Sequence, residues 1–185
     1  MTAHSVRVRW FGLLALLWLW IAPAQAAVEI SFHSKDLGTS FPHAFIVLTG
    51  TVDATGEPVN ANYGFTVRNA VGPSVLLGRV RGVVDSVGPN YIEHSNRHFS
   101  MVLTDDQFQQ LLALVERWHR LPQPSYSLDR RNCVTFVAEV AVLLGLEADT
   151  HGLMRRPRAF LDRVRERNAP RIAAAAAPSA ASTAR

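Results

Sequence analysis

The sequence predicts an α+β domain, an antiparallel sheet packed against helices. Alternating apolar segments gather in the first half of the chain, helical spacing takes over from residue 104, and no βαβ alternation or internal repeat links the two. At 185 residues, 48% hydrophobic and 18% charged, the chain can build one core and is too apolar to be disordered throughout. Its single cysteine excludes a disulfide framework, a four-thiolate zinc site and a CxxC redox pair.

Ala27–Ser34 alternates Val28, Ile30 and Phe32 against Glu29 and Ser31, the period of a strand. His43–Val52 is apolar on both parities, which predicts an interior strand. Gly, Pro, Asn and Asp in Asp53–Asn60 predict a loop, and Asn62–Val67 returns as a strand to complete a hairpin. Leu76–Val84 and His98–Leu103 supply two more strands.

Thr104-Asp105-Asp106-Gln107 matches a capping box, and Phe108, Leu111, Leu112, Val115 and Trp118 follow at helical spacing to about Arg120. Pro122 and Pro124 end that helix. Asn132 is the expected N-cap of a second helix over Cys133–Leu144, with Gly145 as its stop. A third runs from Pro157 to about Arg167, closing a domain expected over residues 27–168. Residues 169–185 read as a disordered alanine-rich tail.

Residues 1–26 read as a secretory signal peptide. Arg7 and Arg9 precede an apolar run from Trp10 to about Ala22, and Ala24 and Ala26 supply an A-x-A cleavage pattern. The expectation is export to the periplasm or beyond; an uncleaved N-terminal anchor is the alternative. Residues 27–154 carry 9 basic and 13 acidic groups, net −4, whereas residues 155–185 carry 8 basic and 2 acidic, net +6. The high pI therefore comes from the ends, so a nucleic-acid partner is not expected. The basic C-terminal segment reads either as a solvated helix face or as a weak contact with an anionic envelope surface.

An unpaired thiol in an oxidising compartment is unusual. Cys133 stands at a helix start, where dipole, backbone N–H groups, Arg130 and Arg131 would all favour the thiolate and supply oxyanion donors. The competing reading is a buried core thiol, because Cys133 shares a face with Val137, Val140 and Leu144. A thiol nucleophile needs a base, and His43 stands out because it opens an apolar strand with the parity of Phe45 and Val47. His119 looks like a solvated helix end, and His94 and His98 are four apart in a non-helical context that does not suit a metal. Phosphate loops, HExxH and paired-carboxylate motifs are absent, so neither cofactor nor metal is expected.

The order PHAFIVL, NYGF and YSLDRRNCVTFV resembles the circularly permuted branch of the NlpC-type papain-like cysteine hydrolases, which includes lecithin retinol acyltransferase-like proteins. The resemblance covers roughly residues 40–145 and places the His strand before the Cys helix. It implies a permuted papain-like fold, with Cys133 as nucleophile, His43 as general base across from it, and a polar residue on the neighbouring strand to orient the ring. If Val52 pairs with Ala61, positions opposite His43 fall near Arg68–Ala70. Asn69 is then the orienting candidate, given a one-residue slip, ahead of Thr66, while Asn62 lies at the far end of the hairpin. A simple Cys–His dyad is equally compatible. Tyr126 is a candidate lining residue, and Asn132 reads as a cap rather than a catalyst. The implied function is an exported thiol hydrolase or acyltransferase acting on a cell-envelope peptide or acyl substrate. The alternative is a non-catalytic envelope-binding or scaffolding module.

Overall fold

The computed structural model describes residues 27–36, 42–67 and 78–176. Five strands, β1 (Val28–Lys35), β2 (His43–Thr51), β3 (Pro58–Val67), β4 (Gly82–Asp85) and β5 (Asn96–Leu103), form one sheet in the order β4-β3-β2-β1-β5. Every pairing is antiparallel, as the α+β reading requires.

The helices are α1 (Pro89–Glu93), α2 (Asp105–His119), α3 (Cys133–Leu143), α4 (Pro157–Arg167) and α5 (Ala169–Ala176). The two best-signalled starts form as read. Thr104 Oγ1 accepts from Gln107 N at 3.2 Å while Gln107 Oε1 accepts from Thr104 N at 3.0 Å, so a reciprocal cap opens α2. Asn132 caps α3, and Gly145 ends it at φ +76°, a left-handed conformation that an L side chain adopts only with strain.

One sheet face carries Ile30, Phe32, Ala44, Ile46, Leu48 and Phe65, which join the apolar faces of α2, α3 and α4 in a single core. There α3 lies on β2 and β3, and α4 on β1 and β5. Trp118 of α2 meets Phe65 and Phe136 edge-to-face, with ring centroids 4.7 and 5.3 Å away. Each such pair contributes about 1 kcal/mol beyond simple burial. The helices thus cover the parity opposite to that of His43 and Phe45. The Phe45 ring is instead enclosed by His33, His43 and Tyr91.

Three expectations need correction. Residues 169–176, read as part of a disordered tail, form α5, because a run of strong helix formers docks against β5 and half-buries Ile172 and Ala175. Residues 177–185 lie outside the described residues. Among the described residues the fourth strand spans Gly82–Asp85, preceded by an isolated bridge between Val80 and Tyr126, while residues 76–77 of the expected strand lie outside the described residues. Finally, β3 begins at Pro58 rather than Asn62, because the turn between the strands is tighter than its composition suggests.

Candidate active site

Asn132 is 1% exposed and makes the local geometry of the Cys133 region. Its Oδ1 accepts from Val134 N at 2.8 Å and Thr135 N at 3.4 Å. Its Nδ2 donates to the Leu128 carbonyl at 2.7 Å and the Met154 carbonyl at 2.6 Å. It is therefore a cap and a tether, which fixes Cys133 as the first residue of α3.

The backbone N–H groups of Ala44, Val134 and Cys133 itself lie near the Cys133 sulfur and favour its thiolate. The Ala44 contact matters most, since Ala44 directly follows His43. It forms where β2 and β3 part: their ladder ends at Ile46 opposite Tyr63, and β3 continues against β4. The helix that begins at Cys133 packs against both strands. Residues 89 positions apart in sequence, Cys133 and Ala44, are thereby brought together.

His43 is half-buried, with its ring stacked on Phe45 at 6.0 Å and 12°. It lies over Gly64, where a Cβ would stand 2.5 Å from Nε2 and 3.1 Å from Cε1. Only glycine leaves the ring that space. Among the described residues neither His43 nitrogen has a hydrogen-bond partner, and no hydrogen bond joins the imidazole to the thiol. Among the described residues no buried side-chain nitrogen or oxygen is left unpaired, so the free His43 nitrogens reach solvent.

Electrostatics depart from the sequence expectation. Cys133 is 4% exposed, and burial pushes its thiol up to about 11 against the pull of the three N–H groups. Arg130 is exposed, and neither it nor Arg131 contributes to the shift. The helix start thus lowers the thiol less than desolvation raises it. Burial also lowers His43 to about 4. The resting pair is a neutral thiol and a neutral imidazole. That is the starting state for general-base catalysis, in which both charges arise only as the sulfur attacks.

Tyr91 and Tyr126 both lie close enough to feel the Cys133 charge. Burial and then the Cys133 charge raise each phenol above its usual range. Tyr126, the expected lining residue, is buried against Phe65. Tyr91 had no sequence signal, since α1 is a five-residue helix without an apolar stripe.

The register that pointed to Asn69 as the orienting residue is not the one observed. Thr51 lies opposite Pro58 and Ile46 opposite Tyr63, and three positions further that spacing points to Thr66. The Val52–Ala61 pairing that favoured Asn69 does not form, and Asn69 itself lies outside the described residues. Asn62 is occupied elsewhere, bonded to Val87 through both its Oδ1 and its Nδ2.

Two further histidine clusters escaped sequence reasoning. His33 places Nε2 2.9 Å from Ser31 Oγ and Nδ1 2.8 Å from Ser95 Oγ. His98 places Nε2 2.8 Å from Ser34 Oγ and Nδ1 3.0 Å from Asp162 Oδ1. His98 sits where the β1–β5 register shifts, a bulge that turns its ring toward α4. The Ser–His–Asp order resembles a catalytic relay, but Ser34 is 0% exposed, so no substrate carbonyl can approach it. It ties α4 to the sheet. Among the described residues no group of His, Cys, Asp and Glu could hold a metal ion, and no helix is long and apolar enough to cross a membrane.

Comparison of the chain with protein-family models, curated proteins and solved structures gives no match.

Proposed function

We propose that this chain is an exported cysteine hydrolase of permuted papain-like order, cleaving an amide, ester or thioester of a cell-envelope peptide or acyl substrate. The observation that carries the reading is the Cys133 sulfur at a helix start, near the backbone amide of Ala44 that directly follows His43, whose imidazole has no hydrogen-bond partner among the described residues. In this mechanism His43 takes the thiol proton as sulfur attacks the acyl carbon. The Cys133 N–H at the helix start would serve the developing oxyanion, since Val134 N–H is engaged by the Asn132 cap at 2.8 Å. The imidazolium then protonates the leaving group, and His43 activates the water that frees the acyl-enzyme. Residues 1–26 serve as the export signal.

A second reading has its own observation. A thiol that is 4% exposed and raised to about 11 suits a packing residue in a non-catalytic envelope-binding module. One experiment separates the two. The protein without residues 1–26 is treated with p-nitrophenyl acetate, and adducts are located by mass spectrometry. The hydrolase reading expects acetyl-Cys133, lost in Cys133→Ala and at least about 100-fold slower in His43→Ala. Unmodified Cys133, or equal acylation without the imidazole, leaves the binding module standing.

A further inference from the structure

We infer that the cleft beside this site recognises an anion, a carboxylate or phosphate carried by the ligand. The cleft encloses about 370 Å³ and is lined by Pro42, Arg155, Arg156, Arg158, Asp36 and Asp162 among others. It adjoins the candidate site at two points. Pro42 directly precedes His43, and the Met154 carbonyl just before the arginine wall accepts from Asn132, the cap of the Cys133 helix.

The cleft wall holds more positive charge than its own acids balance. Arg155 is held by Asp129, which is not part of the lining, with contacts of 2.8 and 2.9 Å. Arg158 makes one contact of 3.3 Å with Asp36. Asp162 is engaged by His98 and Arg165. Arg156 has no ion pair among the described residues, and it occupies the N-cap position of α4. That helix start has no side-chain cap and no acid in its first turn; Pro157 opens it without an N–H, and the N–H groups of Arg158 and Ala159 lack a side-chain acceptor. An anion seated there would bond those N–H groups and the Arg156 and Arg158 guanidinium groups together. The anion site stands on this geometry alone. Its role as the subsite for the charged end of a substrate rests on the hydrolase reading.

The test titrates inorganic phosphate, N-acetylglycine and neutral N-acetylglycinamide into the protein at constant ionic strength, following the backbone amides of Arg156 and of residues 158–160 by NMR. Saturable binding of an anion is expected, with the neutral amide silent. Tighter binding of phosphate assigns a phosphoryl group, and tighter binding of N-acetylglycine assigns a peptide carboxylate. Arg156→Ala and Arg158→Ala should each weaken binding at least 10-fold, while Arg167→Ala at the far end of α4 leaves it intact. Failure of both anions to bind, equal binding of the neutral amide, or unchanged binding by Arg156→Ala would overturn the inference. Cys133→Ala should bind normally, so the anion site and the chemistry fail separately. For the subsite role, the preference for p-nitrophenyl hemisuccinate over p-nitrophenyl acetate should fall about 10-fold in Arg156→Ala. An unchanged preference removes that role.

Discussion

His43 and His98 both lie on strands, both are partly buried, and burial lowers the basicity of both, yet their nitrogens meet opposite surroundings. His98 is bonded at each nitrogen, to a serine and to a carboxylate that partly restores its basicity. His43 is held only by shape, between Phe45 and the space over Gly64. A ring bonded at both ends is committed to structure. A ring positioned by packing alone keeps its lone pair for a proton that arrives during a reaction. By this criterion the cluster with the familiar Ser–His–Asp order is the structural one, and the plainer cluster is the candidate for chemistry.

The most severe way to break the contrast is to exchange the histidines' fates. His43→Ala should depress acetylation of Cys133 at least about 100-fold with little loss of stability, whereas His98→Ala should leave acetylation intact and lower the melting temperature. A converse result in parallel acylation and calorimetry assays would reverse the assignment. Gly64→Ala sharpens the point without touching the imidazole. The new Cβ meets Nε2, so acylation should fall on the order of 10-fold while iodoacetamide alkylation of Cys133 stays the same.

The pH response divides the same way. His33, like His98 bonded at both nitrogens, is lowered to about 4 by burial first and then by Arg97 and His98. Its unfolded value is near 6.5, so its contribution to stability is complete above pH 6.5 and is lost as pH falls toward 4. Denaturant titrations at pH 7 and pH 4.5 should differ by about 2 kcal/mol from this ring after allowance for solvent screening, and His33→Gln should remove that part. His43 leaves its mark on rate: acylation should persist through pH 5 and decline as pH approaches 4. The smallest effect is expected at Arg130. Since burial governs the thiol, Arg130→Ala should leave the pH dependence of Cys133 alkylation unchanged, still rising toward about 11.

Much of this architecture is written locally. The Thr104–Gln107 box, the Asn132 cap and Gly145 each act over a few residues, so their signals survive in sequence. The pairing of Cys133 with the His43 strand was readable only through a resemblance in segment order, because no local rule joins positions so far apart. What stayed hidden is non-local. The β2–β3 register depends on one turn, and a shorter turn than expected shifts that register so that its extension to His43 points to Thr66 rather than to the Asn69 neighbourhood. The bulge that aims His98 depends on β1 and β5 meeting, which the intervening chain does not announce. The thiol's pKa inverted the expectation because dipole and arginines are visible in sequence, while the depth of burial is not.

Gly64 gives the arrangement a signature outside this molecule. A position defined by a missing side chain costs nothing to fill once the ring above it has no task. In proteins sharing this segment order, histidine before the apolar strand and glycine in the Tyr-Gly-Phe segment should be kept or surrendered together. A lineage that retained the thiol but filled that gap would have become a scaffold.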